Sequence, residues 1–359
     1  MRAAHSLGIS LIFLFISCEG SKNKPVMTRD TPELQANHWN LAVKKSLEIL
    51  IQGGAHKGEF AVFDFDNTTV SRDIGEATLG QISLEGGVSP ATLSRDLSPP
   101  FSLDGALVDP QKERTLHGLY EKILHMVKHR GGGHSSNSIA YAWAVKMMRG
   151  FTPARILEYT EKAFNHGSAD AERWGAQAVQ TVSGFPRPFF QPEIIDLMGL
   201  LRVNGFDVLI VSASNVWTVR YMVKNFLNPA MVKLHGPGAT IPPGHVTGVS
   251  VLLRDTRTGT LNSDRFLVES NKAYADLNPA ELAHFTLTAQ IEYPLPAYSG
   301  KVANIIRAKG MKRPYLAGGD SPNDYPMLRY ARHRLWITRL ERPAYQEAAC
   351  HIAAASRGE

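Results

Sequence analysis

Three short apolar runs in this chain end on polar chemistry. Glu59-Phe60-Ala61-Val62-Phe63 leads into Asp64-Phe65-Asp66-Asn67-Thr68. Phe206-Asp207-Val208-Leu209-Ile210-Val211 leads into Ser212-Ala213-Ser214-Asn215. Arg313-Pro314-Tyr315-Leu316-Ala317-Gly318 leads into Gly319-Asp320-Ser321-Pro322-Asn323-Asp324. Runs this short and this apolar suit strands buried on both faces of a parallel sheet. Leu335-Trp336-Ile337 predicts a fourth strand, and helical patterns over 192–203 and 301–309 lie between strands. Strands alternating with helices predict an α/β fold with a doubly wound parallel sheet. Ligands of such sheets bind beyond the carboxyl ends of the strands, which is where these polar loops fall.

Between the first two runs lies a stretch, 77–185, far longer than one crossover helix needs. Helical patterns are expected over 113–129, 139–148, 153–164 and 169–182, interrupted at Gly131-Gly132-Gly133. It predicts an inserted helical cap domain. Residues 36–76 then hold an N-terminal helix and the start of the core, and 186–345 the rest of the core. A β-hairpin is expected near 244–261, where the pattern alternates with turn signals at Asp255 and Gly259, and a C-terminal tail over 346–359.

The N-terminus carries Arg2 and the apolar run Leu7 to Ile16, followed by Ser17-Cys18-Glu19-Gly20. That run is short of the roughly 20 residues a spanning helix needs and matches the apolar region of a signal peptide. Phe15-Ile16-Ser17-Cys18 resembles a lipobox, with Phe15 departing from the usual aliphatic residue. We expect a lipoprotein-type signal over 1–18 with Cys18 lipidated, or a plain secretory signal, then a polar tether over 19–35. The expected location is the bacterial cell envelope, with the lipid anchor the only contact with a membrane. Cys18 and Cys350 are the two cysteines, too few for a disulfide framework, so Cys350 is expected to be a free thiol or a small buried hydrophobe. A net charge of +6 without a block of Lys/Arg gives no footprint for nucleic acid, and none is expected as a partner.

The polar loops hold a consistent chemistry. Asp64 and Asp66, two apart beyond a strand end, can share one site, one attacking as a nucleophile and the other handling a proton. Such acids also cap helices. Ser212 and the following backbone N–H groups suit a phosphate oxygen, although Ser is also a common helix cap. Lys301 opens a helix in Tyr298-Ser299-Gly300-Lys301-Val302 and could neutralise charge on a phosphoryl group. Asp320 and Asp324, four apart after two glycines, suit Mg²⁺ held by few carboxylates plus phosphate and water.

Taken together and in this order, the four loops resemble the haloacid dehalogenase superfamily of phosphohydrolases. Its pattern is Asp-x-Asp-x-Thr, a strand ending in Ser or Thr, a Lys, and Gly-Asp-x-x-x-Asp. The resemblance covers about 59–80 and 186–340, and implies a Rossmann-like core. It implies Asp64 as the nucleophile that becomes an aspartyl-phosphate and Asp66 as the general acid and base. It further implies that Ser212 and Lys301 hold the phosphoryl oxygens. Asp64, the backbone carbonyl of Asp66 and Asp320 would bind Mg²⁺, with Asp324 supporting the metal water and Lys301.

The details Asp-x-Asp-Asn-Thr-Thr, Ser-Ala-Ser and Gly-Asp-Ser-Pro-Asn-Asp are similar to the phosphoserine-phosphatase-like branch, and within it to secreted phosphorylcholine phosphatases. These also share a Trp-containing helix like the one expected from His38-Trp39-Asn40 to Leu50. The expected partner is a small phosphate ester bearing an amine. A quaternary ammonium needs carboxylates or rings, because it cannot donate hydrogen bonds. Asp73 and Glu76 are candidate anionic partners, and Tyr141, Trp143, Tyr159 and Trp174 candidate rings, of which we select Trp143. Asn67, Ser214 and Asn323 are further candidates for substrate contact. Phosphoserine is the alternative, its carboxylate met by Arg72, Arg149 or Arg155. A broad-specificity phosphatase, transfer to an acceptor other than water, or an inactive lipid-tethered binding protein remain open.

Overall fold

The structure, a computed structural model, describes residues 12–15, 32–85, 87–114, 116–129, 137–165 and 188–355 of the 359. Five parallel strands form the central sheet: β1 Phe60–Phe63, β2 Asp207–Asn215, β3 Val246–Val249, β4 Leu316–Gly319 and β5 His333–Ile337. Their spatial order is β5-β4-β1-β2-β3. Ile12–Phe15, inside the apolar N-terminal run, pairs antiparallel with the outer edge of β5.

Among the helices, those used below are α1 Leu41–Gly54, α2 Ile74–Leu84, α3 Leu116–His129, α4 Asn137–Lys146, α5 Pro153–Asn165, α6 Pro192–Val203, α7 Val216–Met222, α8 Ser299–Lys309 and α9 Pro343–Ala355. The alternation of the strands explains the double winding. Ala61 and Phe63 of β1 pack with Leu47 and Ile51 of α1 and Leu197 and Leu201 of α6. Phe60 and Val62 point the other way, into a layer with Ile305 of α8, Met327, Leu328 and Ala349 of α9. Both faces of the sheet are covered, as all-parallel sheets require.

Register delivers the polar loops to one edge. Phe63 pairs with Ile210 on one side and Gly318 on the other. Asp64, Ser212 and Asp320 therefore emerge together, and the N–H of Asp64 donates to the Gly318 carbonyl at 3.0 Å.

Helices α2 to α5 and the short hairpin Phe101–Leu103 and Ala106–Val108 form the cap. Its apolar centre gathers Leu79, Leu119, Tyr120, Ile123, Trp143 and Met147. Of the four helices expected here, the first three occur, and the one over 169–182 lies outside the described residues, as does the glycine run at 131–133. The stretch 244–261 divides between two sheets. Val246–Val249 completes the parallel sheet, while Val251–Asp255 pairs with Leu261–Asn262 and Phe285–Ile291 in an antiparallel sheet. Gly248 makes this possible: a Cβ there would lie 2.6 Å from Val216 Cα and 2.7 Å from the Ser214 carbonyl. The antiparallel sheet ties cap to core by backbone, through Gly150 N–H to Leu287 O at 2.9 Å and Leu287 N–H to Phe151 O at 2.8 Å. The C-terminal residues expected as a tail form α9 instead, with Ala349 buried against the sheet layer. Cys350 on α9 is exposed and free.

Helix α8 begins under a tight constraint. A Cβ on Gly300 would lie 1.8 Å from the Leu295 carbonyl oxygen, a backbone atom that cannot step aside alone. Gly300→Ala is expected to destabilise the protein by about 1–3 kcal/mol, the usual range for overpacking. Urea unfolding monitored by circular dichroism checks this, and an unchanged midpoint would show that the contact is not held in solution.

Candidate active site

The site grows from the loop after β1. Asp64 is 6% exposed. Its Oδ1 accepts from the Phe65 N–H at 2.7 Å and lies 2.7 Å from Lys301 Nζ. Asp66, two residues on, points toward the start of the cap. Its Oδ1 accepts from the Ile74 N–H of α2 at 2.7 Å and its Oδ2 from Ser212 Oγ at 3.2 Å. Asn67 turns the loop in the left-handed region (φ 57°), its N–H donating to the Arg72 carbonyl at 3.0 Å. Thr69 Oγ1 donates to the Asp64 carbonyl at 2.6 Å, and Thr68 Oγ1 to Asp320 Oδ1 at 2.9 Å.

Lys301 is fully buried, and its Nζ also lies 2.6 Å from Asp324 Oδ1. The other Asp324 oxygen accepts at 3.1 Å from the Asp320 N–H, the Ser321 N–H and the Ser321 hydroxyl. Both oxygens of Asp324 are thus occupied in shaping the loop. Asn323 Oδ1 accepts from the Tyr298 N–H at 2.7 Å, fixing the residue before α8, whose φ is 51°. Ser212 Oγ also accepts from the Ser214 N–H at 3.0 Å.

Electrostatics sets what this cluster can hold. One oxygen from each of Asp64, Asp320 and Asp324 lies within 4.8 Å of the others. Burial, and then the charge of Asp324, push the Asp64 carboxyl well above the ordinary carboxylate range, against the pull of Lys301. The same two causes push Asp320 up to about 7. Asp66 is raised by burial, although hydrogen bonds from Ser214, the Ile74 N–H and Ser212 favour its charged form. Burial lowers the pKa of Lys301, and the charges of Asp324 and Asp64 outweigh it, so its net shift is upward and it stays protonated. One buried ammonium does not balance three converging carboxylates. The all-oxygen donor set fits a hard divalent cation.

The cluster opens into a cavity of about 1050 Å³ between core and cap. Asp73 and Glu76 of the α2 start, Glu121 of α3, and the rings of Tyr120, Tyr141 and Tyr298 line it. Asp73 Oδ1 accepts from the Glu76 N–H at 2.8 Å. Burial, then Asp66, raises the Asp73 carboxyl well above its usual range, and burial, then Glu121, lifts Glu76 to about 7. Asn67, Ser214 and Asn323 also line the cavity.

Trp143 does not reach it. It is 6% exposed in the cap core, stacked behind Tyr120 with ring centroids 6.3 Å apart. The face of α4 that meets the cavity is that of Tyr141 and Val145, two residues to either side, so Trp143 is a correction to the expectation. Tyr159 likewise packs in the cap, against Phe151, and Trp174 lies outside the described residues, as does Cys18. Arg149 pairs with Asp96 and Arg155 with Glu85 and Glu158, none of them lining the cavity, whereas Arg72 does line it. Glu121, Tyr120 and Arg339 were not anticipated. Arg339 stands two residues past the end of β5, so the strand-end rule that found the other loops reaches it too. Glu121 carries no such signal.

No family model matches the chain. A phosphorylcholine phosphatase of Pseudomonas aeruginosa is 25% identical over 292 residues, 80% of this chain and 76% of that protein. The five-stranded parallel sheet with helices on both faces is the α/β architecture expected from the sequence. Among solved structures, a conserved protein of unknown function from Anaerococcus prevotii superposes with a TM-score of 0.50 at 16% identity, covering 83% of this chain and 85% of that one. A phosphoserine phosphatase held as an analogue of its phospho-aspartyl intermediate superposes with a TM-score of 0.34 at 14% identity, over 77% and 84% of the two chains. That last likeness is too distant to bear on function.

Metal and pH act on this acid cluster together. Asp320 has a folded pKa of about 7 against an ordinary value near ~4. Between these values the folded state holds more protons than the unfolded state, so stability of the metal-free protein falls as pH rises. A divalent cation replaces those protons and must compete with them at low pH. The rise in Tm caused by adding Mg²⁺ is therefore expected to be larger at pH 8 than at pH 5.5. Differential scanning fluorimetry at the two pH values reads it directly.

Proposed function

We propose that this protein is a Mg²⁺-dependent phosphomonoesterase working through an aspartyl-phosphate, with a small amine-bearing ester such as phosphorylcholine as substrate. The observation that carries the reading is the convergence of Asp64, Asp66, Lys301, Asp320 and Asp324 at the strand ends beside one cavity. Phosphorylcholine is favoured because the nearby wall is anionic and aromatic, and because the similar Pseudomonas aeruginosa protein is a phosphorylcholine phosphatase.

In this reading Asp64 Oδ2, which accepts no hydrogen bond among the described residues, attacks phosphorus. The ester P–O bond breaks as the Asp64–phosphorus bond forms, and Asp66 donates its proton to the leaving oxygen. Water then attacks the aspartyl-phosphate, giving its proton to Asp66 and releasing phosphate and free Asp64. A raised Asp66 pKa suits a group that must hold a proton before it gives it away. Ser212 and Lys301 hold phosphoryl oxygens. Asp64, the Asp66 carbonyl and Asp320 would hold Mg²⁺, whose charge would offset the repulsion between a dianionic ester and the acids. A trimethylammonium head group would lie against Asp73, Glu76 and Glu121, with Tyr120, Tyr141 and Tyr298 presenting ring faces to it.

The test is phosphate release from phosphorylcholine, phosphoserine, phosphoethanolamine, a sugar phosphate and p-nitrophenyl phosphate, with and without Mg²⁺. Asp64→Asn is expected to drop release to background and Asp66→Asn to lower kcat by about 10²–10⁴-fold. Glu76→Gln is expected to raise KM for phosphorylcholine by about tenfold, ~1.4 kcal/mol, with little change for p-nitrophenyl phosphate. Preference for phosphoserine would move the specificity to an arginine such as Arg72. Undiminished activity in Asp64→Asn would sink the mechanism.

We propose further that the protein is exported and held by a lipid on Cys18. The apolar run ending two residues before Cys18 supports this. Cys18→Ser is expected to move the protein from the membrane fraction to the soluble fraction of the producing cells, read by fractionation and immunoblot.

A further inference from the structure

Arg339 occupies an unusual position in the cavity wall. Its Nη1 lies 3.3 Å from Asp320 Oδ2, an oxygen of the acid cluster, and its Nε donates to Glu341 Oε1 at 2.7 Å. Asp320 is almost fully buried, with a side chain 2% exposed, whereas Glu341 is 62% exposed at the cavity rim. One guanidinium thus spans a buried carboxylate and an outward one. Its charge also helps hold down the pKa of Glu76 across the cavity, as does that of Arg342. The contact with Asp320 is the longer of the two, and a second partner is already in place if it is given up. A divalent cation on Asp320 and a guanidinium on the same carboxylate would repel each other at close range.

We propose that Arg339 is a positioning residue that serves as the counter-ion of Asp320 in the metal-free site and competes with the divalent cation for it, with Glu341 receiving it when the metal binds. The inference rests on the metal-dependent phosphatase reading. In that reading Arg339 gives Asp320 a counter-charge before metal arrives, as Lys301 does for Asp64 and Asp324. It also sets the metal concentration at which the site loads.

The test is Mg²⁺ binding to the purified, EDTA-treated protein, by isothermal titration calorimetry and by Tm against Mg²⁺ concentration, without substrate. Arg339→Gln is expected to lower the Mg²⁺ dissociation constant by about three- to tenfold, because a competing charge is removed. Arg339→Lys keeps the charge and is expected to stay within about twofold of wild type. Glu341→Gln, which takes away the outward partner, is expected to shift affinity the other way and weaken binding. A merely structural arginine would lower the Tm of the metal-free variant and leave the dissociation constant alone. Unchanged or weaker binding in Arg339→Gln, alongside normal binding in wild type, overturns the inference and leaves the phosphatase reading standing. If Arg339→Gln fails to fold, Glu341→Gln decides: unchanged or tighter binding there overturns it as well. Absence of Mg²⁺ binding by wild type overturns the metal reading itself, and this inference with it.

Discussion

A single buried ammonium holds this site together. Lys301 sits with no solvent exposure between Asp64 and Asp324, 2.7 and 2.6 Å from their oxygens. It joins the end of β1 to the start of α8 and the loop after β4, both more than two hundred residues further along the chain. Removing one partner of such a buried pair typically costs about 3–5 kcal/mol, because the remaining charges lose their compensation. The surrounding backbone is arranged so that the ammonium cannot drift. Gly300 lets the helix start press against the Leu295 carbonyl, and Asn323 pins Tyr298 in the left-handed region. Asp324 has three donors on its far oxygen and so cannot rotate away from Lys301 without breaking them. Gly319 belongs to the same arrangement: a Cβ there would lie 2.5 Å from that of Asp324.

With Lys301 committed, the remaining charge pattern divides the cavity into two acidic regions. One is the cluster at the strand ends, the other the wall of Asp73, Glu76 and Glu121 on the cap side. In both, burial raises the carboxyl pKa values first, and for Asp64, Asp320, Asp73 and Glu76 a neighbouring carboxylate raises them next, so each region is short of positive charge. In the proposed reading, a zwitterionic ester that carries an ammonium would match the second region, and its phosphate would meet the first once a divalent cation is there. The order matters physically. Without the cation, the dianionic phosphate would face Asp64, Asp66 and Asp320 with Lys301 and Arg339 as the nearby cations, both already paired.

Much of this was legible in the sequence because strand ends are legible. Asp64, Ser212 and Asp320 each follow an apolar run, and parallel register brings such positions together without any knowledge of side-chain contacts. Lys301 was legible as a member of a motif and not from its surroundings, since a lone lysine at a helix start is ordinarily solvated. The cap was harder to read. Its helices were visible from periodicity, yet which face each turns to the cavity depends on how they pack on one another. Tyr141 and Trp143 stand two apart on α4, and on a helix that spacing sends them to different faces. One meets the cavity and the other the cap core. Glu121 was invisible for the same reason. The strand β3 escaped because Gly248 and Ser250 interrupt an alternation that otherwise continued as a hairpin.

The engagement of each oxygen argues for the division of labour between the two acids after β1. Asp64 has Oδ1 bound by the Phe65 N–H and Lys301, leaving Oδ2 without a hydrogen bond among the described residues. Asp66 has both oxygens engaged, one by the first N–H of α2 and one by Ser212. A carboxylate held at both oxygens is poorly placed to attack phosphorus, but it is well placed to present a proton in a fixed direction. The bond to Ile74 also makes Asp66 the link between chemistry and cap. Asp73 caps α2 one residue before Ile74, and Glu76 follows within its first turn. The groups proposed to bind the ammonium and the group proposed to move the proton therefore ride on the same helix start. A substrate that draws α2 toward the core by its head group would, through the Ile74 N–H, set the angle of Asp66 as well. Recognition of the leaving group and its protonation are in this geometry two consequences of where one helix begins.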